Sequence, residues 1–303
     1  MKIAFVGTGM IGSGLAVNAA LNGQEVALYD VANPAVVKKT VQSILDILIE
    51  AGATDAARAE AALTAMTFTQ DLAQAVTGAR FVQECVPERL ELKQSTYRSI
   101  QELVGKAAVI ASSTSGMFPS DLSRGAIYPE NIIVGHPYNP SYLLPLIEVC
   151  GPHASQETID TAMEVYKAMG KEPVLCRKEV HGFIVNKLSW AVMDGAIQAV
   201  ANGECSVEDI DKAIMFGPGM RMAVTGQLLT MSLGVPGGFR MMGKKYGNED
   251  GDTEKERTIN LIADGVDQEI ANRPENFGNT VDSVVKFRDR AFADILKNIH
   301  HKI

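Results

Sequence analysis

The chain has 303 residues, 46% of them hydrophobic, and a formal net charge of −8. It has no basic run, so a nucleic-acid partner is not expected, and no apolar stretch approaches the roughly 18 residues of a membrane span. The four cysteines are scattered without metal-site spacing, and a strand starts at Lys2 with no leader before it, so we expect a cytoplasmic protein with reduced thiols and no bound metal.

A dinucleotide site is predicted at the first strand and the turn after it. Residues 3–6 are a short apolar run, typical of a buried parallel strand, and a G-x-G-x-x-G motif follows directly. Gly7 permits the tight turn, Gly9 lets backbone N–H groups approach a pyrophosphate, and Gly12 lets the next helix pack against the sheet. The predicted cofactor contacts at this turn are Gly7, Gly9, Met10, Ile11 and Gly12.

The second predicted strand, residues 26–30, indicates which dinucleotide binds. It ends at Asp30, eighteen residues after Gly12. A carboxylate at this position accepts hydrogen bonds from the adenosine ribose hydroxyls and repels a 2′-phosphate. The predicted cofactor is therefore NAD and not NADP.

Strand and helix patterns alternate through the rest of the first half. Asn33-Pro34 is typical of a helix start, and the helix runs to about Glu50. Residues 53–66 add a further helical piece. The later strand patterns cover residues 81–86, 108–111, 132–136, 145–149 and 173–176. This alternation predicts an α/β fold with a Rossmann-type, doubly wound, mainly parallel sheet.

The pattern changes after His181-Gly182. Residues 183–201 carry apolar side chains at helical spacing, and Ser206 to Asp209 form a capping box for the next helix, which we expect to stop at Gly217. We therefore predict a Rossmann domain over residues 1–180 and an all-α domain for substrate binding and dimerisation over residues 181–303.

Four motifs point to a particular chemistry. They are residues 111–116 (ASSTSG), 135–140 (GHPYNP), 146–149 (LIEV) and 182–186 (GFIVN). Oxidation of a secondary alcohol needs a base, and histidine titrates near working pH. A carboxylate inside an apolar strand, such as Glu148, needs a partner. By these motifs and their spacing, the chain resembles the 3-hydroxyacyl-CoA dehydrogenase superfamily over nearly its whole length.

The resemblance implies a role for each site residue. His136 takes the hydroxyl proton, and Glu148 fixes its tautomer and stabilises the imidazolium. Ser115 and Asn186 donate hydrogen bonds to the substrate oxygen. The residues lining the nicotinamide-ribose side of the cofactor would be Glu88, Lys93, Ser115 and Asn139. Without the family, a lone histidine at a strand end, such as His136, is more often a structural residue. Glu88 with Lys93 is then equally well explained as an exposed helix pair, and Asn139 as a turn residue.

Three features favour a free acid over an acyl-CoA as the substrate. Residues 42–71 hold a single base, Arg58, against five acids, so a CoA phosphate has little to pair with there. The sequence around His136 is similar to that of the gulonate 3-dehydrogenase (lambda-crystallin) and carnitine 3-dehydrogenase branch. The segment 216–221 (FGPGMR) is similar to the same branch, and it places Arg221 where a guanidinium suits capture of a carboxylate.

The favoured interpretation is an NAD-dependent dehydrogenase that oxidises the 3-hydroxyl of a small L-3-hydroxy acid, gulonate-like or carnitine-like. Met222 stands where an aromatic side chain would suit a quaternary ammonium, so carnitine itself stays open. A 3-hydroxybutyryl-CoA dehydrogenase and a crystallin-like structural protein on the same scaffold remain alternatives. The resemblance also implies a homodimer.

Overall fold

A computed structural model describes residues 1–241 and 253–300 of the chain. They divide into two units, Met1–Ala191 and Val192–Ile303. The first unit is α/β, and the described part of the second is helical. The predicted fold class, a Rossmann-type sheet followed by an all-α region, is confirmed. The domain boundary near residue 180 stays a prediction.

The sheet of the first unit has eight strands in the order β3-β2-β1-β4-β5-β6-β7-β8. The strands are β1 Lys2–Val6, β2 Glu25–Tyr29, β3 Met66–Thr69, β4 Phe81–Glu84, β5 Val109–Ser112, β6 Ile132–Pro137, β7 Leu146–Cys150 and β8 Glu172–Cys176. Neighbouring strands are parallel except β6 and β7, which are antiparallel. The antiparallel pairing of β6 and β7 places His136 opposite Glu148.

Helices cover both faces of this sheet. They are α1 Met10–Leu21, α2 Pro34–Glu50, α3 Ala56–Thr64, α4 Leu72–Val76, α5 Leu90–Val104, α6 Pro119–Leu122 and α7 Gln156–Ala168; α8, Val185–Ala201, begins in this unit. Ile3 and Phe5 of β1 belong to one apolar core, and Ala4 and Val6 to the other. Alternate residues of a strand point to opposite faces, so β1 is buried on both sides, as a doubly wound sheet requires.

The structure agrees with one local expectation and adds one strand that the sequence did not indicate. The side chain of Asn33 accepts a hydrogen bond from the N–H of Ala35 and Pro34 opens α2, so the predicted helix start is confirmed. Strand β3 was not predicted. It is a four-residue edge strand that pairs with β2 alone, too short to show an alternating pattern in the sequence.

The described part of the second unit contains α9 Val207–Ile214, α10 Met220–Thr225, α11 Gln227–Leu233, α12 Thr253–Asn272 and α13 Val281–Asn298. Ser206 caps α9 by accepting the N–H of Asp209, as predicted, but the α-helix ends at Ile214, before the expected stop. Met215–Gly219 follow as a π-helical turn in which Gly217 leaves helical geometry. Over the described ranges, no helix is both long and apolar enough to cross a membrane.

Candidate active site

The glycine turn after β1 has two crowded positions and one open position. Gly7 has φ +92°, and a Cβ there would lie 2.6 Å from the backbone of Cys85. A Cβ on Gly12 would lie 2.1 Å from the carbonyl oxygen of Gly7. Gly9 differs, because a Cβ there would meet no atom within 4 Å. The protein's own packing requires the first and third glycines, while the open side of Gly9 leaves room for a ligand's phosphates.

Asp30 stands at the wall of a cavity of about 660 Å³ that Gly7 and Gly9 also line. Its Oδ2 accepts hydrogen bonds from the N–H and the hydroxyl of Thr8, at 2.7 and 2.8 Å. Its Oδ1 accepts one from the N–H of Ala32 at 2.9 Å. Partial burial raises the pKa of Asp30, but the hydrogen bonds from Ala32 and Thr8 outweigh it and the pKa is lowered. The cavity wall therefore carries a negative charge at neutral pH, and Thr8, which sequence reasoning missed, helps to hold it.

A second cavity of about 300 Å³ adjoins the first, since Cys85 and Val86 line both. Residues from several predicted motifs meet at its wall. They are Ile11, Glu88, Lys93, Ser115, His136 and Asn139. Two adjoining cavities at the carboxyl ends of parallel strands, with an open glycine and a carboxylate in the larger one, fit a two-part ligand such as NAD.

His136 and Glu148 form a buried pair at the wall of the smaller cavity. The antiparallel register of β6 and β7 sets them directly opposite one another. His136 Nδ1 lies 2.8 Å from Glu148 Oε2. An ionised carboxylate only accepts hydrogen bonds, so Nδ1 carries the proton and Nε2 is left as the basic nitrogen.

Glu148 has a second task that sequence reasoning missed. Its Oε1 accepts hydrogen bonds from the N–H groups of Ile184 and Val185, at 2.7 and 2.9 Å. Burial raises the pKa of Glu148, but the hydrogen bonds from His136 and from these two N–H groups outweigh it and the pKa is lowered. One carboxylate thus orients the histidine and also satisfies free donors at the start of α8, the helix that carries Asn186.

The turn before α8 is tightly built. Phe183 has φ +51°, a left-handed conformation that a bulky side chain rarely adopts. Its buried ring lies against His136, with ring centroids 5.6 Å apart. Gly182 has φ +73°, and a Cβ there would lie 2.5 Å from the ring of Trp190. Packing on both sides holds this strained turn, which sets one face of the histidine.

Lys93 is buried, so the alternative of an exposed helix pair with Glu88 does not hold for it. Its ammonium lies 2.8 Å from Glu84 Oε1 and 3.3 Å from Glu88 Oε2. Glu84 was not singled out in the sequence, although it is also a carboxylate within a predicted strand, the signal that pointed to Glu148.

Two predicted substrate contacts lie outside the smaller cavity. Asn186 is half-buried on the first turn of α8 and is not among the residues lining that cavity. Arg221 is exposed on α10, in the second unit. Their roles in substrate binding stay predictions.

Comparison with known proteins gives two family matches. The profile described as the 3-hydroxyacyl-CoA dehydrogenase NAD binding domain matches residues 2–180, and that of the 3-hydroxyacyl-CoA dehydrogenase C-terminal domain matches residues 182–268.

Individual relatives give the same picture. An L-carnitine dehydrogenase of Streptomyces coelicolor is 35% identical over 306 residues, covering 98% of this chain and 94% of the relative. An L-carnitine dehydrogenase of Oceanobacillus iheyensis is 36% identical over 251 residues, covering 81% of this chain and 80% of the relative. The crystal structure of a 3-hydroxyacyl-CoA dehydrogenase from Archaeoglobus fulgidus superposes with a TM-score of 0.70 over 99% of each chain. At 21% identity, that last likeness concerns the fold.

Proposed function

The chain belongs to the 3-hydroxyacyl-CoA dehydrogenase family, and from its site we propose that it oxidises the 3-hydroxyl of a small free L-3-hydroxy acid, gulonate-like or carnitine-like, to the 3-keto acid. The cofactor is NAD. The observation that carries the proposal is the buried His136–Glu148 pair. It places a histidine base at the wall of a cavity that Glu88, Ser115 and Asn139 also line.

The pair supplies the proton chemistry of the reaction. His136 Nε2 takes the proton of the 3-hydroxyl, and Glu148 keeps Nδ1 protonated and balances the imidazolium charge. Ser115 and Asn186 donate hydrogen bonds to the substrate oxygen, where negative charge develops in the reverse reaction. Bound NAD supplies the acceptor for the hydride that leaves C3.

The cofactor site that we propose extends over both cavities. The turn from Gly7 to Gly12, including Met10 and Ile11, receives the pyrophosphate, and Asp30 accepts from the adenosine ribose hydroxyls. Glu88, Lys93, Ser115 and Asn139 form the nicotinamide-ribose side. We assign this site to a domain of residues 1–180, and substrate binding and dimerisation to residues 181–303.

A free acid is favoured over a CoA thioester for three reasons. The two relatives described above at 35% and 36% identity are named L-carnitine dehydrogenases, and carnitine is an acid without CoA. Between residues 42 and 71, Arg58 is the single base among five acids. Arg221 offers a planar guanidinium on an exposed helix, suited to a carboxylate. We also propose a cytoplasmic location and a homodimer; exposed apolar side chains on α8, such as Leu188 and Ile197, support the pairing of two copies.

The test is NADH formation from a panel of L-3-hydroxy acids and the matching CoA thioesters, with His136→Gln as the inactive control. We expect kcat/KM to be higher for at least one free acid than for any thioester. A higher kcat/KM for 3-hydroxybutyryl-CoA would overturn the free-acid proposal. Turnover of no substrate, with NAD bound normally, would favour a structural protein on this scaffold.

A further inference from the structure

Glu84, the last residue of β4, is a fully buried carboxylate with both oxygens engaged. Its Oε1 accepts hydrogen bonds from the N–H of Val86 at 2.7 Å and from Lys93 Nζ at 2.8 Å. Its Oε2 accepts from the hydroxyls of Tyr97 at 2.6 Å and Ser112 at 2.8 Å. A buried charge is costly unless it is compensated, and here four donors compensate it, one of which is a cation.

Lys93 directs its whole ammonium into the protein. It has three N–H donors, and three acceptors lie close: Glu84 Oε1 at 2.8 Å, the carbonyl oxygen of Val86 at 3.2 Å and Glu88 Oε2 at 3.3 Å. The side chain is 1% exposed. Glu84 and Val86 thus take two of the three donors, and the ammonium forms an ion pair with Glu88, which reaches further into the cavity.

Glu88 is the member of this chain of charges that reaches the cavity. Its side chain is 46% exposed and lines the smaller cavity beside Ser115 and His136. Lys93 holds its Oε2, and the hydroxyl of Thr114 donates to its Oε1. A carboxylate held at both oxygens presents its remaining lone pairs in fixed directions, which suits vicinal hydroxyls.

We propose that Glu84 is a positioning residue of the cofactor site, which holds Lys93 and, through Lys93, the carboxylate of Glu88. The inference rests on the proposed contact between Glu88 and the nicotinamide ribose. Without the charge of Glu84, the buried Lys93 keeps one carboxylate partner, and that partner is Glu88. The attraction then draws Glu88 inward, away from the ribose hydroxyls.

The first test is Glu84→Gln, which keeps the size of the side chain and removes its charge. NAD affinity is measured by calorimetry without substrate, so the identity of the acid does not matter. We expect the Kd for NAD to rise about tenfold, the scale of one lost charge-assisted hydrogen bond. We expect kcat at saturating NAD to change by less than about threefold, because the variant disturbs binding and leaves His136 in place.

A double-mutant cycle tests the route through Lys93. Lys93→Met should raise the Kd for NAD as much as Glu84→Gln does, and the double variant should bind NAD no more weakly than Lys93→Met alone. Multiplying losses in the double variant would mean that Glu84 acts by another route and would overturn the inference. The double variant removes both buried charges together, so the comparison with Lys93→Met stands even if Glu84→Gln does not fold.

Tyr97→Phe is the matched control, because it deletes a hydrogen bond to the same carboxylate from the oxygen that Lys93 does not contact. It should lower Tm and leave the Kd for NAD unchanged. If Glu84→Gln behaves like Tyr97→Phe, Glu84 is structural and the inference alone is overturned. If the wild-type protein itself fails to bind NAD, the proposed function falls with it.

Discussion

Asp30 lines the larger cavity, whereas Glu148 lies behind His136, which lines the smaller one. Both carboxylates are held in the charged form, but in different surroundings. Asp30 is half-buried, and its hydrogen-bond donors are Thr8, in the turn after β1, and Ala32, just after β2. Glu148 is almost fully buried, and its donors come from a neighbouring strand and from the start of α8. The pKa of each carboxyl is lowered in spite of its burial.

The difference separates direct recognition from action through another residue. Asp30 keeps part of its surface open, so its charge acts on whatever enters the larger cavity. Glu148 is covered, so its charge acts on His136 and on two backbone N–H groups. We therefore expect loss of charge to change cofactor preference at Asp30 and to change the rate at Glu148.

The largest effect is expected at His136. His136→Gln removes the base that takes the hydroxyl proton, and kcat should fall by at least about a hundredfold. The Kd for NAD, measured by calorimetry, should stay close to the wild-type value, because the base acts on the substrate. A variant with near-normal kcat would contradict the assignment of His136 as the base.

The second largest loss of kcat is expected for Glu148→Gln. The amide oxygen can accept the N–H groups of Ile184 and Val185, which turns its NH₂ group toward His136 Nδ1. The ring then accepts at Nδ1 and carries its proton on Nε2, the wrong tautomer for a base. We expect kcat to fall by roughly a hundredfold with Tm little changed. A large fall in Tm with normal kcat in the folded fraction would show that the carboxylate is needed for α8 and not for His136.

Arg221 tests whether a charge in the second unit acts directly on a ligand, as Asp30 is proposed to do. Arg221→Met should weaken transition-state binding of a free acid by a few kcal/mol, as about 2–3 kcal/mol is typical when a charged group loses its partner. The measurement is kcat/KM for one acid and its methyl ester in both proteins. We expect a large loss for the acid and a small loss for the ester, which lacks the charge. Equal losses would make Arg221 a structural residue.

Substitution of Asp30 should change the preference of the enzyme for NAD over NADP. Asp30→Ala removes the charge that opposes a 2′-phosphate, so the ratio of kcat/KM for NAD to that for NADP should fall by about tenfold or more. Thr8→Val keeps the carboxylate and removes one of its donors, so it should keep most of the preference. Equal use of NAD and NADP by the wild-type protein would refute the role of Asp30.

The last prediction concerns the free energy of unfolding and Lys171, a buried lysine whose hydrogen-bond partners are uncharged. Its ammonium donates to the carbonyl oxygens of Ser141 and Leu144, in the segment after Asn139, and burial lowers its pKa to about 8. The unfolded chain, with a lysine pKa of about 10.4, binds more protons between these two values, so this group makes the free energy of unfolding rise with pH there.

Lys171→Met isolates that contribution, since the other titrating groups are common to both proteins. Urea unfolding at about pH 7.5 and about pH 9.5 should show the stability difference moving in favour of the wild type at the higher pH. A difference that does not change with pH would mean that Lys171 titrates alike in the folded and unfolded states.

Several features could be read from the sequence because a few adjacent residues encode them. The glycine turn, the start of α2 at Asn33-Pro34 and the capping of α9 by Ser206 each depend on backbone conformation and hydrogen bonds within one turn. The placement of Asp30 after β2 follows from strand length alone. The family motifs identified the histidine and its carboxylate partner, whereas the residues alone favoured a structural histidine.

The tertiary structure decided which groups meet. The direction of β7 beside β6 brings Glu148 opposite His136, and the chain's return into α8 supplies the carboxylate's second set of donors. The network around Glu84 likewise joins two strands and α5, and the pattern of a single strand does not show which groups this carboxylate contacts. Such contacts depend on the order and direction in which strands pack, and a charge's partner is chosen by that arrangement and not by its neighbours in the chain.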